Sequence, residues 1–206
     1  TRYISVTGVQ TCALPILLDF RGPNMSVASA CATSGHAMGE AAAAIARGDV
    51  DVMLAGGAES TVTPLAIGAF AQMRALSTRN AEPTRASRPY DKDRDGFVLS
   101  EGSVVFVLEE REQALRRGAR IYAELRGYGA SADAYHLSSL APGAEGSVRS
   151  MRAALARSGL AAGDIDYVSA HATSTPGGDG EEAAAIATVF AENKARIHVK
   201  IGRAHV

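Results

Sequence analysis

Segments with the pattern of a buried strand alternate along this chain with segments that have the composition of a helix. Strands that alternate with helices form α/β folds, in which a largely parallel sheet carries helices on its faces. The sequence therefore predicts the α/β class. The predicted strands are 24–30, 50–55, 96–108 (a strand pair or a bulged strand), 120–131, 165–170 and 197–200, and the predicted helices are 33–47, 63–76, 109–117, 147–160 and 180–190.

The composition limits how the core of such a fold can be built. The 206 residues include no Trp, only 5% aromatic residues and 21 Gly. A core of this composition consists of small aliphatic side chains and of close backbone approaches at glycine. Gly48 directly follows the predicted helix 33–47, and Gly159 closes the predicted helix 147–160, positions at which glycine commonly ends a helix.

Charge and hydropathy exclude several classes of function. Lys and Arg total 21 against 22 Asp and Glu, a net charge of −1, whereas a nucleic-acid binder shows a basic excess. No apolar run approaches the roughly 18 residues of a membrane span, so no span is predicted. The two cysteines, Cys12 and Cys31, cannot form a disulfide framework. We therefore expect a reducing compartment and a cytoplasmic location.

The two ends of the chain are related to each other through their coding DNA. Residues 11–16 and residues 201–206 can be encoded by DNA strings that are reverse complements of each other. The complementarity includes the last base of a CAG codon for Gln10. This relation is typical of a translated sequencing adapter. We expect residues 1–16 and 201–206 to be artefact, with the natural protein continuing beyond both borders. A natural, poorly ordered tail is the alternative.

Cys31 is a candidate nucleophile because it stands where a predicted strand passes into a predicted helix. The N-terminus of a helix carries partial positive charge and unpaired N–H groups, which favour a thiolate and can hold an oxyanion. The alternative is an inert buried cysteine, which is common for this residue type.

His171 follows the predicted strand 165–170 and begins a polar loop that contains Thr173 and Thr175. The carboxyl end of a strand in an α/β fold is where ligands usually bind. A structural histidine is the alternative for His171, and a core position is favoured for His36. The cysteines and histidines lack metal-ligand spacing, so no metal site is predicted. The polar segment, residues 77–95, is predicted to be a solvated loop.

Several strings, in one order, resemble the β-ketoacyl-[acyl-carrier-protein] synthases. They are SVASACATSGHAMGEAAAAIARGDVDVMLAGGAES, MRALSTRN, SRPYDKDRDGFVLSEGSVVFVLEE, SADAYH and VSAHATSTPGGDGEE. The best match is the class II elongating enzyme of type II fatty-acid synthesis, and the similarity covers residues 17–200. The resemblance implies that the chain is part of a thiolase-like fold with αβαβα layers. The chain would contain the end of the N-terminal half, from the strand before the cysteine onwards, and the start of the C-terminal half.

The resemblance also implies a reaction and roles for individual residues. An acyl chain on the cysteine condenses with malonyl-carrier protein after loss of carbon dioxide, and phosphopantetheine arrives on acyl carrier protein, so no other cofactor is expected. Acyl carrier protein and a second copy in a homodimer are the expected partners. The implied roles are Cys31 as nucleophile, His171 in decarboxylation, Thr173 and Thr175 on the phosphopantetheine arm, Phe70 at the acyl pocket, Arg74 at the carrier protein, and Glu182, Asp133 and His136 as supporting residues.

Two departures from the family pattern affect these expectations. Ala172 stands where the family commonly has glycine, and its methyl group can crowd the loop. The family's lysine, second histidine and gating loop are expected beyond residue 200, so we expect this chain to lack condensing activity by itself. The alternatives are a polyketide ketosynthase or another thiolase-like acyltransferase, a cysteine hydrolase with a Cys31–His171 dyad, and a non-catalytic subunit.

Overall fold

A computed structural model describes residues 15–136, 139–193 and 197–201 of the chain. Residues 1–14 and 202–206, which make up most of the two segments predicted to be adapter, lie outside the described residues. The chain divides into two compact units. The first contains residues 15–58 and 103–124, and the second contains residues 59–102 and 125–201.

Helices and strands alternate, which confirms the predicted α/β class. The helices are α1 Thr33–Ala46, α2 Pro64–Gln72, α3 Arg111–Arg116, α4 Glu145–Ser158 and α5 Pro176–Val189, and the strands are β1 Val52–Glu59, β2 Gly102–Glu109, β3 Tyr167–Ala170 and β4 His198–Ile201. Strands β1 and β2 pair in one sheet, and β3 pairs with β4 in parallel, with Tyr167 opposite His198. None of the helices described in the structure is long and apolar enough to cross a membrane.

The first unit depends on small residues, as the composition predicts. Gly48 ends α1 with φ of +76°, a left-handed conformation that glycine adopts at no steric cost. A Cβ on Gly56 of β1 would collide with the carbonyl oxygen of Val104 in β2. A Cβ on Gly57 would collide with the side chain of Ser34 in α1. Glycine therefore allows β1 to approach both of these neighbours closely.

The second unit has a core that joins its parallel sheet to α5. The buried side chains of Ala170 and Ala172, at the end of β3, pack with Ile186 and Phe190 from α5 and the residue that follows it. A second cluster joins α4 to α5 through Ala144, Val148 and Ala185. This packing fixes the carboxyl end of β3 against the last turn of α5.

Several predicted elements differ from the structure. The predicted strand 96–108 is a strand only from Gly102, and the predicted helix 63–76 ends at Gln72. Residues 24–29 and 120–131 form no strand among the described residues, because a strand is defined by ladder hydrogen bonds to a neighbour and an apolar sequence alone does not supply one. Helix α5 begins at Pro176 rather than at residue 180. Thr175 is its N-cap and Pro176 occupies its first turn, where proline is well tolerated, so the glycines that follow lie inside the helix.

The two ends of the polar segment are tied together by Asp95. Its carboxylate accepts a hydrogen bond from the Ser77 hydroxyl at 2.6 Å and another from the Thr78 backbone N–H at 3.0 Å. The hydroxyl of Thr78 donates to the same carboxylate at 3.2 Å. These donors stabilise the charged form, and they hold the pKa of Asp95 below its ordinary value.

We expect Asp95 to contribute to stability only where its carboxyl is ionised. Because its folded pKa is the lower one, its contribution is present above the unfolded value of about 3.9 and is lost as the pH falls through the folded pKa. The measurement is the free energy of unfolding from pH 6 to pH 2 for the natural protein and for Asp95→Asn. The two curves should converge in acid, and a constant separation down to pH 2 would contradict this assignment.

Candidate active site

Cys31 lies in a tight turn that leads directly into α1. Residues Ala30–Ala32 form a single 3₁₀ turn, and the Ala32 backbone N–H donates to the Ser29 carbonyl at 3.1 Å. Ala30 has φ of +49°, in the left-handed region that side-chain-bearing residues seldom adopt. Cys31 itself is exposed and is a free thiol. This turn presents the sulfur outward at the N-terminal end of a helix of 14 residues, as a nucleophile requires.

Ser29 and His36 form a contact beside this turn that the sequence did not predict. The Ser29 hydroxyl and Nδ1 of His36 are 2.6 Å apart. The backbone N–H of Ser29 donates to the Thr33 hydroxyl at 2.9 Å. His36 is half-buried, so the core position favoured for it is only partly correct. The histidine side chain thus contacts the residue that immediately precedes the turn Ala30–Ala32.

His171 lies immediately after β3, with an exposed side chain. The loop that it begins, residues 171–175, contains two left-handed residues, Ala172 with φ of +46° and Ser174 with φ of +67°. Ala172 thus occupies a conformation that favours glycine, although its methyl group packs in the core. We call residues 171–175 the His171 loop. A strained loop of this kind persists only when surrounding contacts hold it.

Glu182 supplies part of that support. One carboxylate oxygen accepts the backbone N–H of His171 at 2.6 Å. The other accepts the backbone N–H of Ala172 at 2.8 Å and the Tyr90 hydroxyl at 2.8 Å. Burial and the neighbouring Glu182 carboxylate raise the pKa of Tyr90 well above its ordinary value. The phenol therefore remains a hydrogen-bond donor throughout the physiological pH range.

Asp179 and Ser174 give the loop a buried polar anchor. Both side chains are fully buried. The Asp179 carboxylate accepts the Ser174 N–H at 3.0 Å and the Tyr90 N–H at 2.7 Å, and it lies 3.7 Å from Nε of Arg94. An aspartate at the start of a helix commonly caps it, and from the sequence Asp179 is a candidate cap for the predicted helix 180–190. Instead, Thr175 is the N-cap, and Asp179 in the first turn binds the backbone that precedes the helix.

Residues 88–96 pack against the His171 loop, which corrects the prediction of a solvated loop for this part of the polar segment. The Arg88 N–H donates to the Ser174 hydroxyl at 3.0 Å, and the Gly96 N–H donates to the Ser174 carbonyl at 3.0 Å. Nε of Arg94 donates to the Thr175 carbonyl at 3.0 Å. Sequence reasoning missed this role. The one available signal was Tyr90, the only aromatic residue in an otherwise polar segment.

The hydroxyls of Thr173 and Thr175 lie next to each other, 2.9 Å apart and half-buried. They face Gly178, where a Cβ would lie 2.5 Å from the Thr175 hydroxyl oxygen. The two side chains thus form one pair of hydroxyls in the His171 loop. Their contact with a phosphopantetheine arm remains a prediction.

Phe70 and Arg74 lie on and just after α2. The ring of Phe70 is half-buried and meets Phe97 edge to face, with ring centroids 5.3 Å apart and planes inclined by 79°. Arg74 is exposed and has φ of +56°, which turns the chain after the helix. The roles of Phe70 at an acyl pocket and of Arg74 at a carrier protein remain predictions.

Asp133 and His136 form contacts near the start of α4. The Asp133 carboxylate accepts the Ala141 backbone N–H at 3.0 Å, and Nδ1 of His136 accepts the Ser139 N–H at 3.1 Å. Their supporting roles in catalysis remain predictions. The structure joins Glu182 to the His171 loop within the second unit, whereas Cys31 belongs to the first. Among the described residues, no group of three or more His, Cys, Asp or Glu side chains is arranged to hold a metal ion.

Two family models match the chain. The model of the beta-ketoacyl synthase N-terminal domain matches residues 5–114, and the model of the C-terminal domain matches residues 122–204. Together the two matches include the turn that contains Cys31, the polar segment and the His171 loop. The family predicted from the sequence motifs is therefore confirmed.

Curated relatives agree with these family models. The chain is 55% identical over 175 residues to a mitochondrial 3-oxoacyl-[acyl-carrier-protein] synthase of Arabidopsis thaliana, which covers 84% of the chain and 38% of that protein. It is 50% identical over 184 residues to 3-oxoacyl-[acyl-carrier-protein] synthase 2 of Coxiella burnetii, covering 89% of the chain and 44% of that protein. The chain thus spans less than half the length of these relatives.

Solved ketosynthases, which have the thiolase-like fold, resemble the structure. One is a type II polyketide ketosynthase in complex with its acyl-carrier protein, with a TM-score of 0.91 and 34% sequence identity. The match covers 94% of the present chain and 48% of the ketosynthase chain. Another is a beta-ketoacyl synthase of Burkholderia phymatum, with a TM-score of 0.83 and 42% sequence identity. This match covers 87% of the present chain and 43% of the Burkholderia chain. The predicted fold class is confirmed by these matches.

Proposed function

The chain belongs to the β-ketoacyl synthase family, and on this premise we propose that the complete protein elongates fatty acids. It condenses an acyl chain held on Cys31 with malonyl-acyl carrier protein and yields 3-oxoacyl-acyl carrier protein. The identities of 50% and 55% to 3-oxoacyl-[acyl-carrier-protein] synthases support this reaction. The observation that carries the proposal is the exposed thiol of Cys31 in a strained turn at the start of α1.

The position of the Cys31 thiol, exposed at the N-terminal end of α1, is suited to acyl transfer. The Cys31 thiolate attacks the acyl thioester carbonyl, the carrier thiol leaves, and a thioester forms on Cys31. The malonyl thioester then loses carbon dioxide, and the resulting enolate attacks the acyl carbonyl while the Cys31 thiolate leaves. Backbone N–H groups at the start of α1 are suited to stabilise the oxyanion of each attack.

His171 takes part in the decarboxylation step of this proposal. An imidazole beside the malonyl thioester carbonyl can donate a hydrogen bond to the oxygen on which the enolate charge develops. The structural support is the hydrogen bonding of the His171 loop by Glu182 and Asp179, which fixes the backbone of the residue that must be positioned. Thr173 and Thr175 bind the phosphopantetheine arm, Phe70 lines the acyl pocket, and Glu182 supports the lysine that the family carries.

Acyl carrier protein is the proposed partner, and the exposed Arg74 is its proposed contact. Carrier proteins are acidic, so reversal of this charge should weaken binding through loss of attraction and gain of repulsion. We expect Arg74→Glu to raise the Kd for acyl carrier protein roughly tenfold or more at low salt, and less at high salt.

The control for this measurement is Arg152→Glu, because Arg152 is also exposed but lies on α4 in the middle of the helix. Calorimetry or fluorescence titration at two salt concentrations gives both values. An unchanged affinity in Arg74→Glu would remove Arg74 from the carrier-protein site.

We also propose that the complete protein is a homodimer, that it is located in the cytoplasm, and that it has no cofactor of its own. The exposed apolar side chains of β2, at Val104 to Val107, provide surface of the kind that association buries. The phosphopantetheine group that the reaction needs arrives on acyl carrier protein.

The test of the proposed function is a mass-spectrometric assay of the complete protein that contains this chain. Incubated with acyl-carrier protein and malonyl-carrier protein, it should yield a 3-oxoacyl-carrier protein two carbons longer than the primer. The 206-residue chain by itself should yield none. Absence of product from the complete, folded protein would contradict the proposal.

A polyketide ketosynthase is the alternative that one observation favours, since the structure matches such an enzyme with a TM-score of 0.91. The sequence identity to that enzyme is 34%, lower than the 55% to the mitochondrial synthase. The same assay distinguishes the two. Repeated condensation without reduction of the oxo group would identify the polyketide activity, and a single condensation on saturated primers would identify elongation.

A further inference from the structure

Tyr90 has an unusual conformation that the proposed reaction does not explain. Its backbone has φ of +61°, a left-handed conformation that is rare for a bulky residue. Its half-buried ring packs against the buried cluster formed by Ala170, Ala172, Ile186 and Phe190. Strained backbone of this kind is retained where surrounding contacts require it.

The contacts of Tyr90 are two hydrogen bonds to carboxylates on one face of α5. Its backbone N–H donates to Asp179 at 2.7 Å, and its hydroxyl donates to Glu182 at 2.8 Å. Positions three residues apart lie on the same side of a helix, so one tyrosine reaches both acids.

Each of these carboxylates also holds the His171 loop. The second oxygen of Asp179 accepts the Ser174 N–H at 3.0 Å, and the second oxygen of Glu182 accepts the His171 N–H at 2.6 Å. Two carboxylate bridges therefore connect Tyr90 to the loop, one at each end of it. The Glu182 oxygen that accepts the Tyr90 hydroxyl also accepts the Ala172 N–H at 2.8 Å, so the Tyr90 hydroxyl is the one donor of these three that comes from outside the His171 loop. Without it, both remaining donors belong to the loop, and the carboxylate and the loop can shift together.

We propose that Tyr90 is a positioning residue for His171, and that it acts by fixing the Glu182 carboxylate through its hydroxyl. The Tyr90 ring and backbone N–H hold the backbone at Tyr90 in its left-handed conformation. The Tyr90 hydroxyl determines the orientation of the Glu182 carboxylate, which binds the His171 and Ala172 N–H groups. Only the kinetic part of this inference rests on the proposed function.

The obvious alternative is that Tyr90 contributes packing alone. Tyr90→Phe separates the two, because it keeps the ring and the backbone N–H and removes only the hydroxyl. A packing role predicts no change in the His171 loop. A positioning role predicts that the His171 and Ala172 amides become less protected from hydrogen exchange.

The experiment is hydrogen exchange on the complete protein, followed in the peptide that contains residues 168–175. We expect exchange of the His171 and Ala172 amides to increase roughly tenfold in Tyr90→Phe, as loss of a hydrogen bond to a charged group implies. The matched control is Tyr122→Phe, because Tyr122 is 84% exposed. It should leave this peptide unchanged.

A second variant keeps the inference testable if Tyr90→Phe loses stability. Glu182→Gln should also increase exchange at both amides, and the double variant should exchange no faster than Glu182→Gln alone, because the two residues act through one interaction. Additive effects would show that Tyr90 does not act through Glu182 and would overturn the proposal. Unchanged exchange in a folded Tyr90→Phe protein would overturn it as well.

Decarboxylation of a malonyl thioester supplies the kinetic readout. For Tyr90→Phe we expect kcat to fall roughly tenfold with KM nearly unchanged, since a misplaced His171 affects the transition state more than substrate binding. Increased exchange with an unchanged kcat would reduce Tyr90 to a structural residue and overturn the proposal. If the natural protein shows neither decarboxylation nor condensation, the proposed function fails, and the exchange measurements alone decide whether Tyr90 orders the loop.

Discussion

Replacement of Cys31 by serine is expected to lower the rate of condensation by roughly a thousandfold or more, the scale seen when a covalent nucleophile is removed. A serine hydroxyl has the shape of the thiol but is not ionised at neutral pH, so it is a much weaker nucleophile than the thiolate. The measurement is the rate of 3-oxoacyl-carrier protein formation by the complete protein, together with the mass of its acylated intermediate.

The control for this prediction is Glu40→Gln, an exposed substitution on the same helix α1. It should retain condensation and acylation at the natural rates. Mass spectrometry of the natural protein should place the acyl group on the peptide that contains Cys31. Substantial acylation in Cys31→Ser at another residue would remove Cys31 as the nucleophile.

Replacement of Asp179 by alanine is expected to lower the free energy of unfolding by about 3 to 5 kcal/mol, as when one partner of a buried charged network is removed. The side chain is fully buried, and its loss leaves the Ser174 and Tyr90 N–H groups without their acceptor. It also leaves the largely buried Arg94 guanidinium without the nearby carboxylate. Urea unfolding of the complete protein measures the change.

Two variants complete the measurement of Asp179. Asp179→Asn keeps the size of the side chain and one carbonyl acceptor, so its loss should be smaller, about 1 to 3 kcal/mol. Asp93→Ala removes an exposed carboxylate from the same segment that carries Tyr90, and it should change stability by no more than about 0.5 kcal/mol. Equal losses in Asp179→Ala and Asp93→Ala would contradict the role of the buried anchor.

The two units differ in what could be predicted about their functional residues. For Cys31, the sequence itself placed the residue between a strand and a helix, and the family motif assigned the nucleophile role. The helix and its glycine end are as predicted, whereas the preceding strand is not formed among the described residues. The turn geometry at Ala30 follows from the tertiary arrangement, because no local signal predicts a left-handed alanine.

For His171, the sequence predicted the strand and the loop but not the residues that hold the loop in place. Tyr90 lies 89 residues from Asp179 and 92 residues from Glu182 in sequence. Periodicity and capping rules concern residues within a few positions of each other, so contacts of this range lie beyond them. For this reason the polar, highly charged residues 88–95 were predicted to belong to a solvated loop.

The sequence by itself determined the α/β class, most of the helices, the family, and the residues Cys31 and His171 as candidates, because each depends on local pattern or on a contiguous motif. The tertiary structure alone decided how the His171 loop is held. Asp179 and Glu182 each bind backbone from two distant segments, and a carboxylate acquires such partners only after the chain has folded. Buried polar groups must find partners wherever the fold supplies them.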